Sequence, residues 1–168
     1  AAAYLPPGDA KPGVTKLLIR KARSKPCRIV FPEGENQTIL RACRVLIDEE
    51  IAKPVLLGNA KTIRERAAEL HLDLNALEIV DIEAPAGHTL SVDELVKSRQ
   101  RKGVTRSEAE ELVKNRNIFG ALMVQLNHAD ALMTGMTTYF PDAIRPLLQV
   151  IPLRPGVKKA SGLLGAVT

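Results

Sequence analysis

The sequence predicts an α/β protein in which a mostly parallel β-sheet is covered by helices on both faces, giving three αβα layers. Short apolar segments alternate along the chain with longer segments whose apolar residues recur every three or four positions. This alternation of strands and helices is typical of parallel sheets. The 168 residues suffice for one domain with its own core, and because only 3% are aromatic, aliphatic side chains must build that core.

The first elements follow a stretch rich in proline and glycine. Residues 1–13 are predicted to be a linker or an expression remnant, and residues 14–168 to form the domain. A basic helix is expected from Val14 to Ser24, a buried strand over Cys27–Phe31 and a helix from Asn36 to Ile51. The apolar face of the last helix is predicted to consist of Ile39, Leu40, Cys43, Leu46 and Ile47.

The middle of the chain continues the alternation. Val55–Gly58 is predicted to be the second strand, and Asn59 to cap a helix that reaches Leu70. Ala76–Ile82 is predicted to be the third strand, because its apolar residues are spaced as in a half-buried strand.

Two capping boxes indicate the next pair of helices. Ser91-Val-Asp-Glu94 is predicted to open a helix to Lys102, and Thr105-Arg-Ser-Glu108 to open a helix to Arg116. In each box the hydroxyl and the glutamate satisfy the first backbone N–H groups of the helix.

The last third of the chain is predicted to contain a helix over Ile118–Leu126, a fourth strand over Ala131–Thr134 and a helix over Pro141–Val150. Pro146 is expected to kink that helix. The apolar run Ala160–Thr168 has the pattern of a buried strand with no turn after it. Two interpretations stay open: a fragment whose continuation supplies neighbouring strands, or a short natural C-terminal strand.

Composition and charge limit the functional classes. The net charge of +5 favours anionic partners, but the scarcity of aromatic residues argues against binding of single-stranded nucleic acid by base stacking. There is no signal-peptide pattern and no apolar run long enough for a membrane span. Cys27 and Cys43 have no metal-ligand spacing and are predicted to be reduced thiols in the core of a cytoplasmic protein.

The segment from Asp130 to Pro146 is the first candidate site. A short strand leads into a hydroxyl-rich glycine turn and then into a helix that begins near a proline and carries Arg145. Backbone N–H groups at a helix start, hydroxyls and an arginine together suit a phosphate or a carboxylate. The alternative is an ordinary strand-to-helix turn, where glycine is common.

A second arginine is a candidate for the same site. Arg99 is predicted to lie near a helix end, where cations complement the helix dipole without any ligand. Alternatively, Arg99 turns toward the glycine turn and forms a two-arginine anion clamp with Arg145, since ligands gather beyond the carboxyl ends of parallel strands.

Glu33 and Glu35 form the other pair of candidates. They follow the first strand and are interpreted chiefly as complementing a helix N-terminus, with acid–base catalysis as the alternative. Neither a dinucleotide fingerprint nor a Walker phosphate loop occurs in the chain.

Six blocks, taken in order, resemble the phosphate acetyl/butyryltransferase family. They are Arg28-Ile-Val-Phe-Pro-Glu-Gly-Glu35 with Ile39-Leu-Arg-Ala42, Lys53-Pro-Val-Leu-Leu-Gly-Asn59, Arg101-Lys-Gly-Val-Thr105, Phe119-Gly-Ala-Leu-Met-Val124 and Ala129-Asp-Ala-Leu-Met-Thr-Gly135. The resemblance implies an isocitrate-dehydrogenase-like fold with two α/β subdomains around a cleft, of which this chain is the first half.

The resemblance also implies site residues. Arg99 and Arg145 match cleft arginines that bind phosphate or CoA-related anions, and Thr134-Gly135 matches a Ser-Gly turn of the family. The family's catalytic serine, arginine and aspartate lie in its other half. This chain is therefore expected to hold no catalytic residue and no metal, and to have acetyl-CoA or phosphate as its ligand.

One departure from the family pattern leads to a more specific expectation about the branch of the family. Tyr139-Phe140-Pro141-Asp142 replaces a Ser-Thr-Ala-Asp-like run. This form, together with Arg99-Gln-Arg-Lys-Gly-Val-Thr105 and Asn115-Arg-Asn-Ile-Phe-Gly120, resembles the phosphotransacetylase-like C-terminal domain of large bacterial malic enzymes. The resemblance implies an allosteric regulatory module that responds to acetyl-CoA, forms homo-oligomers and is inactive by itself. The parent protein would be an oxidoreductase whose NADP and divalent metal belong to another domain. The alternative is a fragment of a catalytic phosphate acetyltransferase.

Overall fold

The computed structural model describes residues 12–73, 77–82, 92–97, 104–137, 139–151 and 156. These residues form ten named helices and strands, together with a helical segment at residues 92–97 that is designated α4. The helices are α1 (Pro12–Ser24), α2 (Gln37–Asp48), α3 (Ala60–Glu69), α5 (Arg106–Val113), α6 (Arg116–Gln125) and α7 (Phe140–Val150). The strands are β1 (Cys27–Phe31), β2 (Ala52–Leu57), β3 (Glu78–Val80) and β4 (Ala131–Leu132).

The four strands form one parallel sheet in the order β3-β2-β1-β4. β1 pairs with β2 along its whole length, from Cys27 opposite Ala52 to Phe31 opposite Leu56. On its other side β1 pairs with β4 through Ile29 and Val30. The chain thus adds strands on one side of β1 and then returns to place β4 on the other side.

Helices cover both faces of this sheet. Because side chains alternate along a strand, Val30 and Val55 contribute to one apolar cluster while Phe31 and Leu56 contribute to the other. The first cluster is completed by α4, α5, α6 and α7, and the second by α2 and α3. The three-layer αβα architecture with a parallel sheet is therefore confirmed within the described residues.

Element positions agree well with the sequence prediction, and the bounds differ for physical reasons. α2 ends at Asp48 rather than Ile51, because Glu50 adopts a positive φ of 54° and turns the chain into β2. β2 begins at Ala52 rather than Val55 and includes Pro54. The missing N–H of Pro54 is tolerated because β3 pairs with β2 only from Val55 onward.

Asparagine and threonine caps begin most of these helices. The side chains of Asn36, Asn59 and Asn115 accept hydrogen bonds from the first N–H groups of α2, α3 and α6. Thr105 and Glu108 form the predicted capping box of α5. The cap at Asn115 also explains why α5 ends at Val113, before the predicted end at Arg116.

Several predicted segments lie outside the described residues: the linker up to residue 11, position 91 and positions 98–102 of the helix predicted to start at Ser91, and the apolar run Ala160–Thr168. Among the described residues, no helix combines the length and the apolar character that a membrane span requires.

The two cysteines occupy different environments. Cys43 is buried, as predicted, and burial raises the pKa of its thiol to about 12. Cys27 is exposed at the start of β1, so the prediction that it belongs to the core is wrong. The reason is that β1 begins at the surface and becomes fully buried only at Val30 and Phe31.

The loop between β1 and α2 is pressed against β2. The Gly34 N–H donates to the Leu57 carbonyl oxygen at 3.2 Å. A Cβ added at Gly34 would lie 2.7 Å from that oxygen and 2.9 Å from the Leu56 Cβ. Only glycine permits this approach, so the loop can reach its position only with glycine here.

We expect Gly34→Ala to destabilise the protein by about 1–3 kcal/mol, because the added methyl group meets backbone that cannot move away. Urea unfolding would measure this change. Gly120→Ala is the comparison: its methyl group would meet side-chain atoms of Leu132, Val30 and Leu57 and no backbone atom, and alanine favours the α6 helix, so a smaller loss is expected. Equal destabilisation by the two variants would contradict the expectation.

Candidate functional site

The candidate site lies at the carboxyl edge of the sheet, between the loops that follow β1 and β4. In the strand order β3-β2-β1-β4, the chain direction across the sheet reverses between these two strands. Such a topological switch point separates the two loops and creates a crevice where ligands of α/β proteins bind. An open cleft of about 450 Å³ is found here. Its lining consists of Pro32, Glu33, Glu35, Asn36, Arg66, Asn115, Arg116, Asn117 and Thr137.

Glu33 spans the crevice. Its carboxylate accepts hydrogen bonds from the backbone N–H of Met136 at 3.0 Å and of Thr137 at 2.8 Å, and from the Thr137 hydroxyl. The turn after β4 does bind an anion, as its sequence indicates, but that anion is a carboxylate of the chain itself. Charge-assisted hydrogen bonds of this kind are roughly twice as strong as neutral ones.

Glu35 binds three residues that belong to two helices, α3 and α6. Its Oε1 accepts from the Asn59 N–H at 2.9 Å, before α3, and from Arg116 Nη2 at 2.7 Å, at the start of α6. Its backbone carbonyl accepts a hydrogen bond from the Arg66 guanidinium of α3. Side-chain capping of α2 comes from Asn36, while the Glu33 carboxylate binds the turn after β4 and the Glu35 carboxylate binds the starts of α3 and α6.

The ionisation of Glu35 is set by competing effects. Partial burial raises the pKa of the carboxyl group, whereas the Asn59 N–H and the Arg116 guanidinium stabilise the charged form. The hydrogen bonds and charges prevail, so the pKa of Glu35 lies below its usual value of 4.5. With 24% of the Glu35 side chain and 37% of the Arg116 side chain exposed, this ion pair is partly shielded from solvent.

Thr134 and Gly135 lie where the sequence predicts, at the start of the turn after β4. The Thr134 hydroxyl donates to Asn117 Oδ1 of α6 at 2.7 Å. Gly135 follows with a positive φ of 104°, a conformation that favours glycine. The turn is consequently held on both sides of Gly135, by Asn117 before it and by Glu33 after it.

The two predicted arginines are not brought together by the described residues. Arg145 is exposed on α7 and does not line the cleft. Arg99 lies outside the described residues, so the two-arginine clamp stays a prediction.

Sequence reasoning missed the arginines that line the cleft, Arg66 and Arg116. Arg116 follows the cap residue Asn115, and the Asn-Arg-Asn pattern was a usable signal that a helix begins there. Arg66 carries no such signal, because it lies in the interior of α3 among other charged residues. Within the described ranges, no cluster of three histidine, cysteine or acidic side chains is suited to hold a metal ion.

The fold and the cleft define a class: three-layer α/β proteins with a polar cleft at the carboxyl edge of a parallel sheet. A family model described as Phosphate acetyl/butaryl transferase matches residues 14–168. The chain belongs to this family.

Curated relatives that the chain matches are phosphate acetyltransferases. The chain is 38% identical over 146 residues to a phosphate acetyltransferase of Staphylococcus epidermidis, covering 85% of this chain and 43% of that protein. It is 33% identical to a phosphate acetyltransferase of Nitratidesulfovibrio vulgaris, covering 87% of this chain and 21% of that protein. The chain thus spans less than half the length of these relatives.

Solved structures agree with the fold. The EutD phosphotransacetylase from Staphylococcus aureus superposes with a TM-score of 0.76 at 32% identity, over 86% of this chain and 43% of that one. A phosphotransacetylase from Streptococcus pyogenes superposes with a TM-score of 0.78 at 27% identity, over 86% and 45% of the two chains.

The expectation of an NADP-dependent malic enzyme regulatory domain is wrong. The relatives and the solved structures are phosphate acetyltransferases, and none of them points to malic enzyme, oxidoreductase chemistry or allosteric control by acetyl-CoA. The departure at Tyr139-Phe140-Pro141-Asp142 misled the interpretation. The structure shows why it is weakly diagnostic: Tyr139 is exposed, and α7 begins at Phe140 without a side-chain cap.

We expect Glu35→Gln to destabilise the protein at pH 7 by about 1–2 kcal/mol, since it weakens charge-assisted hydrogen bonds at a partly exposed site. Because the pKa of Glu35 is lowered on folding, its contribution is complete above pH 4.5 and is lost as the pH falls through the lowered value. The difference in unfolding free energy should therefore shrink below pH 4.5.

Urea unfolding between pH 3 and pH 7 measures this difference. Glu65→Gln is the matched control, because its ion pair with Lys61 spans 3.9 Å on the exposed face of α3 and contributes little. A Glu35→Gln effect that is constant across the pH range would contradict the assignment.

Proposed function

We propose that this chain supplies one wall of the substrate cleft of a phosphate acetyltransferase, which converts acetyl-CoA and phosphate to acetyl phosphate and CoA. The observation that carries the proposal is the polar cleft at the switch point of a chain whose relatives are phosphate acetyltransferases. The ligands proposed for the cleft are therefore acetyl-CoA and inorganic phosphate, and no further cofactor is required by this reaction.

The reaction transfers an acyl group between a sulfur and an oxygen atom. A phosphate oxygen attacks the thioester carbonyl, the carbon–oxygen bond forms, and the carbon–sulfur bond breaks to release the CoA thiolate. Catalysis of such a step depends on holding the two substrates in line and on stabilising negative charge. These are the tasks that binding residues of the cleft perform, and no catalytic residue is assigned in this chain.

The residues proposed to bind the substrates are Arg99, Thr134, Gly135 and Arg145. Thr134 and Gly135 belong to a turn that is fixed in place at the carboxyl edge of the sheet. Arg145 lies on α7, the helix that follows this turn, and its exposed guanidinium is available to an anion. The cleft itself contains two arginines and two glutamates, so an added cation is needed to favour a doubly charged phosphate.

The complete natural protein should form acetyl phosphate and free thiol from acetyl-CoA and phosphate, and Arg145→Ala should weaken this activity. Loss of one charge-assisted contact costs about 1.5–3 kcal/mol, which corresponds to a decrease in kcat/KM of roughly 10- to 150-fold. Thiol release and hydroxamate detection of the acyl phosphate measure the two products.

Arg41→Ala is the matched control, because Arg41 is an exposed arginine of α2 that does not line the cleft. Absence of acetyl phosphate from the unsubstituted protein would contradict the proposed function. Equal kinetics of the Arg145→Ala and Arg41→Ala proteins would remove Arg145 from the binding site while leaving the function in place.

We also propose that the protein self-associates and that it is located in the cytoplasm. Leu17 and Leu18 on α1 are 54% and 57% exposed, and Leu148 on α7 is 51% exposed. Apolar surface of this kind favours contact with a second copy. The two cysteines are unpaired, which suits a reducing compartment.

Light scattering should give at least twice the mass of one polypeptide for the complete protein, and Leu17→Ser with Leu18→Ser should lower it. A single-polypeptide mass at high concentration would contradict self-association. Replacing Val45, an exposed residue of α2, by serine is the control for a general effect of surface polarity.

A further inference from the structure

The turn that follows β4 offers donors for an anion, yet two of its backbone N–H groups and one hydroxyl already bind Glu33. We propose that Glu33 is a positioning residue for phosphate acetyl transfer: it holds the turn that carries Thr134 and Gly135, and thereby sets the geometry of the substrate site. This inference rests on the proposed function. It assigns to Glu33 a role in orienting other groups and no contact with the reacting atoms.

The hydrogen bonds of the Glu33 carboxylate indicate an anchoring role. Both carboxylate oxygens are engaged, Oε2 by the Met136 N–H and Oε1 by the N–H and hydroxyl of Thr137. A carboxylate used in this way holds backbone in place, whereas a general base needs an oxygen directed at the substrate proton. The geometry therefore favours anchoring over the acid–base role that the sequence left open.

Glu33 is itself held by its neighbours, which is what an anchor requires. Pro32 is fully buried and its ring fixes the backbone before Glu33. Gly34 is pinned to Leu57, and the Glu33 carbonyl oxygen accepts from the Asn36 N–H at 2.9 Å. A rigid loop on one side of the crevice thus determines the position of the turn on the other side.

The turn has a conformation that needs such support. Gly135 has a φ of 104° and lies between the Thr134–Asn117 hydrogen bond and the two residues that Glu33 binds. Without Glu33, the Met136 and Thr137 N–H groups would lose the acceptor that the described residues provide for them. Glu33 also occupies these donors, so a bound phosphate must use other groups of the site.

Kinetics of Glu33→Ala and Glu33→Gln in the complete natural protein test the role. We expect the KM for phosphate to rise about tenfold in Glu33→Ala, less in Glu33→Gln, with kcat reduced by less than about threefold and the pH profile of kcat unchanged. Loss of a general base would instead lower kcat by about 10²- to 10⁴-fold and remove a limb of the pH profile, which would overturn the proposal.

A double-mutant cycle with Thr137→Val shows whether Glu33 acts through the turn. If it does, Thr137→Val should lower kcat/KM in the original protein but should change it little in the Glu33→Ala background. If the decreases in kcat/KM caused by Glu33→Ala and by Thr137→Val instead multiply in the double variant, the proposal is overturned. Glu78→Gln is the control, because Glu78 forms an exposed ion pair with Arg28 at the opposite, amino-terminal edge of the sheet.

Hydrogen exchange provides a readout that does not depend on activity. Protection of the Met136 and Thr137 amides should fall at least about tenfold in Glu33→Ala, while the Met133 amide, which donates to the Val30 carbonyl oxygen, should stay protected. Unchanged protection at Met136 and Thr137 would overturn the anchor. Absence of acetyl phosphate formation by the unsubstituted protein, with loss of protection still seen in Glu33→Ala, would overturn the proposed function and leave the anchoring of the turn by Glu33 in place, so the two failures are distinguishable.

Discussion

The close contact of Gly34 with β2 is the constraint on which the rest of the cleft depends. A backbone hydrogen bond to Leu57, at a position with no room for a side chain, places the loop after β1 directly over the edge of the sheet. Glu33 and Glu35 flank this point and bind different elements. One reaches the turn after β4, and the other reaches α6 and the start of α3. A single loop thereby fixes every element that surrounds the cleft.

This arrangement also determines the charge that a ligand meets. Glu35 and Arg116 neutralise each other, Arg66 donates to a backbone carbonyl, and Glu33 is neutralised in part by the dipoles of the turn. The lining is thus rigid and close to neutral, since its donors and acceptors largely satisfy one another. The lining therefore offers little uncompensated positive charge to an anionic substrate, and the proposed function assigns the added cation to Arg145, which does not line the cleft.

Most of the fold could be predicted from the sequence because its signals are local. The apolar periodicity of α2, the asparagine cap of α3 and the capping box at Thr105 each depend on residues within a turn or two of one another. β2 starts at Ala52, earlier than the predicted Val55, and includes Pro54. Pro54 is tolerated because of the offset of β3, which is a property of pairing between strands. Local signals carry no information on such an offset.

The contacts of the cleft could not be predicted in the same way, because each joins segments that are distant in the sequence. Glu33 and Thr137 are 104 positions apart, and Glu35 and Arg116 are 81 apart. Their meeting requires β4 to lie beside β1, and strand order is not encoded in any single segment. Sequence reasoning identified the glutamates and the anion-binding turn separately but did not join them. Sequence reasoning also gave weight to Tyr139, although its exposed side chain leaves the fold unchanged. The cost of a substitution depends on burial and contacts, and only the structure supplies these.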